Sequence, residues 1–129
     1  MEPLQQPCPC GSGDPYDACC GRLHRGAAAA GTAEELMRSR YAAYAVGDTS
    51  YVFRTWHPRT RPADIEPDPA LTWTGLSIVD AAAGGPDDET GEVEFVARFL
   101  RGGAAGERRE RSRFERRAGR WVYVDGDVG

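Results

Sequence analysis

Apolar residues between Thr32 and Gly47 recur at the three- and four-residue spacing of a single helix face. They are Leu36, Met37, Tyr41, Tyr44 and Ala45. Thr32, followed three residues later by Glu35, forms a capping box, and Gly47 is typical of a helix C-terminus. The pattern therefore predicts a helix from Thr32 to the residue before Gly47.

A second, shorter helix is predicted directly after Gly47. Asp48 or Thr49 can cap it. Its apolar positions are Tyr51, Val52, Phe53 and Trp56. His57-Pro58 ends this helix, because the residue before a proline is disfavoured in the α region. The prolines that follow, up to Pro69, exclude a long regular element there.

The rest of the chain alternates apolar and polar residues, which is the two-residue period of half-buried strands. Four strands are predicted, over residues 71–80, 92–101, 107–116 and 121–125. Their connections are short and glycine-rich, which favours an antiparallel meander. Because helices precede strands, we expect an α+β domain in which N-terminal helices pack on one face of a four-stranded sheet.

Two registers are open for the last hairpin. A three-residue turn with Gly119 in the left-handed position pairs Phe114 with Val122. A slip of one residue pairs Phe114 with Tyr123 instead. In the first register Arg111, Arg113, Trp121 and Tyr123 form an aromatic and cationic surface that lines a pocket or a dimer contact; ordinary cation–π packing is the alternative.

Composition narrows the class of protein. A chain of 129 residues suits one ordinary domain plus a small module. Its first ten residues carry no export signal, and no stretch approaches the eighteen apolar residues of a membrane span, so we expect a cytoplasmic protein without membrane contact. The net charge of −4 argues against general nucleic-acid binding, including direct DNA binding.

The run from Arg108 to Arg120 is rich in arginine, as nucleic-acid-binding segments are. Strand alternation, however, places Arg109, Arg111 and Arg113 on one face beside acidic neighbours. We interpret the run as a solvated or ion-paired sheet surface. Glu94 and Arg98 also share a strand face, as an ion pair or as a pocket clamp.

All four cysteines, Cys8, Cys10, Cys19 and Cys20, lie close together near the N-terminus. The residues between the two pairs are mostly turn formers, so the chain folds back and brings the thiols together. Four soft ligands suit tetrahedral zinc, and clustered thiols in a chain without an export signal are more often metal ligands than disulfides. His24 stays open as a substitute for one cysteine.

The predicted organisation has three parts. Residues 1–25 form the zinc-binding motif, residues 26–31 a linker containing the Ala27–Ala30 run, and residues 32–129 the α+β domain. This linker predicts that the two modules are loosely oriented.

His57 is the sole histidine outside the metal region and is therefore the candidate general base. No serine, cysteine or carboxylate stands near it at a spacing that would build a catalytic triad. We therefore favour a capping or packing role for His57.

The stretch CPCGSGDPYDACC, from Cys8 to Cys20, resembles the SEC-C motif. That motif is best known from the C-terminal tail of the preprotein translocase ATPase, where it docks on a chaperone and the ribosome. Six later segments are similar to the YchJ family of uncharacterised bacterial proteins: RSRYAAY, TWHP, WTGLSI, GEVEFVARF, ERSRF and GRWVYVDGD. The resemblance implies a nuclear-transport-factor-2-like cone, whose curved antiparallel sheet wraps around the helices and often encloses a pocket. The short, proline-rich loop after His57 implies a reduced helix at the lid of that pocket.

Two functions follow from these patterns. The first is a non-enzymatic zinc-binding adaptor that docks on a protein or ribosomal partner through the zinc motif, with a homodimer through the sheet as a further contact. The second is a small-molecule binder or enzyme whose pocket is lined by Trp56, His57, Arg98, Arg113 and Trp121. We favour the first, because no general acid and base pair can be named. Convergent polar groups inside the cavity would favour the second.

Overall fold

The computed structural model describes residues 6–129, and the first five residues of the predicted 1–25 segment lie outside that range. The described elements are a 3₁₀ turn (Tyr16–Ala18), α1 (Cys20–His24), α2 (Ala33–Val46), α3 (Thr49–Arg54), β1 (Leu71–Ala83), β2 (Thr90–Arg101), β3 (Ala104–Arg117) and β4 (Arg120–Val128). This order of helices and strands confirms the predicted α+β class. No helix in the described range is long and apolar enough to cross a membrane.

The capping residues set the bounds of α2. The Thr32 hydroxyl accepts a hydrogen bond from the Glu35 N–H at 3.1 Å, and the Glu35 carboxylate accepts one from the Gly31 N–H at 2.7 Å. Gly47 ends the helix in the left-handed conformation, with φ of 81°. The Thr32 and Gly47 caps are those predicted, whereas the Glu35 carboxylate binds the N–H of Gly31, one residue before the N–H of Thr32 that a capping box uses.

Helix α3 starts as predicted, with the Asp48 carboxylate accepting from the Tyr51 N–H at 3.0 Å, but it ends at Arg54. The prediction that Trp56 belongs to this helix is wrong. Residues 55–57 instead run parallel to the edge of β4, where the His57 N–H donates to the Tyr123 carbonyl at 2.8 Å. Pairing with this segment partly covers the edge of the sheet.

The four strands form an antiparallel meander in the order β1-β2-β3-β4, as predicted. The pairing of β1 with β2 is irregular after Trp73 and after Ile78, and that of β3 with β4 after Arg113. Such bulges bend and twist strands, so the sheet curves around α2.

The last hairpin adopts the second of the two predicted registers. Phe114 pairs with Tyr123 and Arg117 pairs with Arg120. Ala118 and Gly119 both have positive φ, 52° and 80°, as in a two-residue type I′ turn, whose twist matches that of the strands. The three-residue turn and its aromatic and cationic surface are therefore wrong.

The core lies between α2 and the concave face of the sheet. Its sheet side comes from Val93, Phe95, Ala97, Phe114 and Trp121, and its helix side includes Leu36, Met37 and Tyr41. Leu23, from the predicted zinc motif, is buried in the same cluster. The core is thus shared between the motif and the domain.

Further contacts fix the orientation of the motif. Arg38 of α2 donates to the Cys10 carbonyl at 2.8 Å, and Arg54 of α3 donates to the His24 carbonyl at 2.6 Å. Ala28 and Ala30 of the predicted linker pack against the core. The expectation of loosely oriented modules is contradicted by these contacts, whereas the division into residues 1–25, 26–31 and 32–129 stays a prediction.

Candidate metal centre and domain cavities

The four cysteines meet as the sequence predicted, with all four Sγ atoms within 4.8 Å of one another. Cys10 Sγ and Cys19 Sγ are 3.7 Å apart. Ligands about 2.3 Å from a tetrahedral zinc ion lie about 3.8 Å from each other, so the cluster has the size of a zinc site. All four thiols are free, and Cys8, Cys10 and Cys20 are buried.

Local turns bring the two pairs together. The Cys8 N–H donates to the Asp14 carbonyl at 2.8 Å, and the Gly11 N–H donates to the Cys8 carbonyl at 3.1 Å. Gly11 makes this reversal with a φ of 82°, a conformation that favours glycine. After the 3₁₀ turn, Cys19 is the N-cap of α1, which Cys20 begins.

Hydrogen bonds among the thiols shift their pKa values in opposite directions. The pKa of Cys10 is lowered, because the Cys20 and Cys8 thiols both donate to it. The same bonding to Cys10 raises the pKa of Cys8 to about 11 and also raises that of Cys20. The close packing of the thiols thus favours a thiolate at Cys10 over one at Cys8 or Cys20. A divalent cation would offset the charge of further thiolates.

His24 lies outside the thiol cluster, and both of its ring nitrogens are engaged. Nε2 is 2.8 Å from the Ser39 carbonyl, which can only accept, so Nδ1 accepts from the Tyr16 hydroxyl at 2.5 Å. Burial lowers the pKa of His24, consistent with this neutral form. The structure thus places His24 in the contact between the motif and α2 and gives it no position among the ligands.

The five residues predicted to share a pocket do not all converge, and only Trp56 and Trp121 line one cavity together, beside the motif. Trp56 lines the cavity on the concave side of the sheet. Trp121 is buried in the core, where its indole N–H donates to the Gly31 carbonyl at 3.3 Å. Arg98 hydrogen-bonds Ser77 at 2.7 Å on the convex face. The remaining two, Arg113 and His57, also lie away from the cavity.

The convex face carries the ion pairs predicted for the arginine-rich run. Arg109 pairs with Glu94 at 2.6 Å and Arg111 with Glu92 at 2.6 Å. Arg113 pairs with Asp125 and Asp127, at 2.5 and 2.9 Å. Glu94 is bound by Arg109 and Arg111, and no pair with Arg98 is formed. This confirms the interpretation as an ion-paired surface.

His57 is 7% exposed and occupies a structural position. Its Nδ1 accepts from the Arg59 N–H at 3.0 Å, which leaves Nε2 to donate to the Glu115 carboxylate at 3.0 Å. One imidazole thus ties the start of the loop to β3.

Replacing His57 by asparagine should lower the free energy of unfolding by about 0.5–1.5 kcal/mol. Asparagine keeps a hydrogen-bonding group but is too short to retain both contacts, and one bond is worth about that much. Urea denaturation of the two proteins measures the difference. A loss above about 3 kcal/mol would show that His57 stabilises the fold through more than these two hydrogen bonds.

A cavity of about 560 Å³, here called the concave cavity, opens between α2 and the sheet. Its walls are largely aromatic, with Trp73 and Phe99 in edge-to-face contact at a centroid distance of 5.7 Å. Polar side chains also line it, including Arg40, Tyr123 and Glu110. Convergent polar groups of this kind are the observation that favours a ligand-binding pocket.

Arg40 is the most deeply buried cation of the cavity wall, at 6% exposed. Its Nη1 donates to the Val52 carbonyl at 2.9 Å and to the Thr55 hydroxyl at 2.8 Å. The guanidinium carbon lies 4.7 Å from the ring centre of Tyr123 and 5.1 Å from that of Trp56.

Glu110 is a buried carboxylate whose charge is already compensated. Its Oε2 accepts from the Ser112 hydroxyl at 2.6 Å and from the Tyr123 hydroxyl at 3.0 Å, and its Oε1 accepts from Arg108 at 2.9 Å. Burial and the neighbouring Glu110 charge raise the pKa of Tyr123, so its hydroxyl stays protonated.

Sequence analysis missed both Arg40 and Glu110. The position of each residue in the sequence could have identified it. Arg40 lies on the apolar face of α2, between Met37 and Tyr41. Glu110 lies on the same inward-facing side of β3 as Ser112 and Phe114. A charged residue at a core position calls for a partner or a function.

A second cavity, also of about 560 Å³ and here called the arginine groove, lies beside the motif. Leu23 of α1, the segment Ala27–Ala30 and Trp121 form part of its wall. Its cations are Arg54, Arg61, Arg117 and Arg120, and no carboxylate lines it within the described chain. Arg117 and Arg120 face each other across the last hairpin, an unfavourable pairing of like charges.

The chain has an N-terminal cysteine motif followed by a four-stranded antiparallel sheet that curves around a helix. This combination defines a nuclear-transport-factor-2-like α+β protein with a SEC-C motif. The profile described as "YchJ, middle NTF2-like domain" matches residues 32–126, and the SEC-C motif matches residues 6–22. The chain belongs to the YchJ family.

Curated relatives are similar over most of the chain. A UPF0225 protein of Streptomyces coelicolor is 58% identical over 121 residues, which is 94% of each chain. A UPF0225 protein of Cupriavidus pinatubonensis is 56% identical over 95% of this chain and 88% of its own.

Solved structures show the same fold. A SEC-C motif containing protein from Rhodopseudomonas palustris matches with a TM-score of 0.83 and 37% identity, over 96% of this chain and 99% of that one. Another from Psychrobacter arcticus has a TM-score of 0.79 and 26% identity, over 100% and 86%.

Proposed function

We propose that this protein binds one zinc ion through Cys8, Cys10, Cys19 and Cys20 and acts as a non-enzymatic cytoplasmic adaptor for a protein partner. The observation that carries the zinc proposal is the meeting of four free thiols within 4.8 Å, three of them buried. Such a closed set of four ligands leaves no open coordination position, which is typical of structural rather than catalytic zinc.

Zinc would also stabilise the contact between the motif and the domain. Cys8, Cys10 and Cys20 form one apolar cluster with Ala42 of α2, so the metal site lies directly on the domain. Arg38, which donates to the Cys10 carbonyl, places a positive charge beside the thiolates. An ion bound here would hold α1 and its Leu23 against the core.

Elemental analysis of protein purified without added metal tests this proposal. We expect one zinc per chain, because four clustered thiols of this spacing bind zinc far more tightly than the chain's exposed side chains can. Metal content near zero, with four thiols that titrate in the folded protein, would contradict the proposal.

The arginine groove supports the adaptor proposal, because it lies where the motif meets the domain. It has four cations, an apolar floor and no lining carboxylate. A surface of this type complements an acidic protein segment, whose carboxylates would relieve the repulsion between Arg117 and Arg120. Within the adaptor class, we therefore favour an acidic segment as the docking partner.

Affinity capture from cytosol, followed by binding of the purified partner, tests the adaptor proposal. Arg117→Glu with Arg120→Glu should abolish binding of a partner that the wild-type protein retains. Arg98→Glu with Arg101→Glu changes the net charge by the same amount away from the groove and should leave binding of the partner intact. Equal binding by both variants would contradict a role of the groove, and binding that ribonuclease removes would indicate RNA in place of an acidic protein.

A second candidate function is binding of a small molecule in the concave cavity. It is favoured by the buried Arg40 in a wall that is rich in aromatic side chains, since a core of packed apolar side chains would not accommodate a buried cation without cost. A compound whose binding is lost when this cavity is blocked would support this second function.

A further inference from the structure

The charge of Arg40 has no anionic partner within residues 6–129. Its hydrogen bonds run from Nη1 to the Val52 carbonyl and the Thr55 hydroxyl, and it forms no ion pair with a described residue. Nε and Nη2 donate to no group of residues 6–129, and both belong to a side chain that lines the concave cavity. Burying an unpaired guanidinium is costly, so its retention in this wall calls for an anion.

A second donor in the same wall is also unsatisfied. The indole Nε1 of Trp56 is buried and has no hydrogen-bond partner in the described chain. The Trp56 ring lies 5.1 Å from the Arg40 guanidinium carbon, so the two donors are neighbours. Unpaired buried donors are rare in folded proteins, and one beside a guanidinium that lines the same cavity indicates an acceptor outside the described residues.

The buried carboxylate of the cavity, Glu110, does not supply that acceptor. Glu110 is held by Ser112, Tyr123 and Arg108, three donors that use most of its accepting capacity. Arg108 balances its charge at 2.9 Å. Glu110 therefore leaves the guanidinium of Arg40 without a paired anion.

The rest of the cavity favours a flat apolar body. Trp73 contacts Phe99, Tyr41 and Tyr44 at centroid distances of 5.7, 5.9 and 6.4 Å, in edge-to-face or tilted geometry. A volume of about 560 Å³ is within the range of small-molecule sites. Aromatic walls with a cation at one end match an aromatic ring that bears one acidic group.

We propose that the concave cavity is a binding site for an aromatic monocarboxylate, whose carboxylate is bound by Arg40 and the Trp56 N–H and whose ring packs against Trp73 and Phe99. This inference rests on the second candidate function and names its ligand class. A carboxylate matches the planar guanidinium with two parallel hydrogen bonds. Arg40 and Trp56 are thus its specificity-determining residues.

A matched pair of neutral and charged probes tests the proposal on the full-length wild-type protein. Titration calorimetry compares 2-naphthylacetate with 2-naphthylacetamide, which have nearly the same shape. The acid should bind about 10- to 100-fold more tightly than the amide, the range expected for a hydrogen bond to a charged group. Equal affinities would overturn the carboxylate inference while supporting the cavity, and no binding of either probe would overturn both.

Variants locate the site. Arg40→Lys keeps the charge but loses the two-pronged geometry, and Trp56→Phe removes only the N–H from a ring of similar packing. Each should weaken binding of the acid about 10-fold or more and leave the amide within about 3-fold. Arg98→Lys, on the convex face, and Trp121→Phe, in the core, are the matched controls and should leave both probes unchanged. If the acid loses affinity only in these controls, the binding site lies elsewhere. If Arg40→Lys does not fold, Trp56→Phe and the comparison of acid and amide on the wild-type protein still test the proposed site.

Discussion

Replacing Cys19 and Cys20 by serine is expected to abolish zinc binding and to lower the free energy of unfolding by at least about 5 kcal/mol. Structural zinc contributes about 10–16 kcal/mol to folding in small zinc-finger peptides, and a domain of ordinary stability has about 5–15 kcal/mol in total. The cysteines pack against Ala42 of α2, so loss of the proposed ion would disturb the domain as well as the motif. Guanidinium denaturation followed by circular dichroism, with zinc content measured on the same samples, gives both quantities.

Ser12→Ala is the control for this double variant. The Ser12 hydroxyl lies 3.2 Å from Cys19 Sγ, so its removal takes away one hydrogen bond to a ligand but leaves all four thiols. We expect full zinc content and a stability loss of about 1 kcal/mol. A double-serine protein with wild-type stability would show that the motif contributes no folding energy, and that zinc, if bound, has another role.

The parts of the fold that local chemistry determines could be predicted from the sequence. The capped helix α2 follows from Thr32, Glu35 and Gly47, because caps act within a few residues. The strands follow from alternation, and the thiol cluster from four cysteines separated by turn formers. In each case the residues that carry the signal also make the contact.

Errors arose where long-range contacts override local preference. Trp56 continues the apolar pattern of α3, yet it pairs with Tyr123, more than sixty residues away in the chain. Ala118 is a poor residue for a left-handed position, so a turn that requires it there was not expected. Once the turn is shortened, the register shifts by one residue, and Arg113 and Trp121 move to opposite faces of the sheet.

The candidate site shows the same contrast. Arg40 and Glu110 were missed because neither belongs to a short motif, and their significance depends on which side chains surround them. His57 was noticed as the one histidine outside the motif, but its partners, the Arg59 N–H and Glu115, make it a structural tie. A residue type suggests chemistry; burial and partners decide whether that chemistry is available.

Leu23→Ala should destabilise the whole chain by about 2–5 kcal/mol, although Leu23 belongs to the predicted zinc motif. The side chain is 3% exposed and lies in the main core cluster with Leu36 and Val52. Truncating a buried leucine removes apolar contacts and leaves a void, which costs about that much in packed cores. Denaturation by guanidinium should show one cooperative transition at a lower midpoint, with zinc content unchanged because all four cysteines remain.

Leu100→Ala provides the matched control, since Leu100 is 39% exposed on β2 and the same atoms are removed. Its cost should stay below about 1 kcal/mol. If Leu23→Ala costs no more than this control, then the motif and the domain do not share a core in solution. The boundary between residues 1–25 and 32–129 would then separate two independently folding units. A large difference between the two variants, in a single transition, would show that the motif folds as part of the domain.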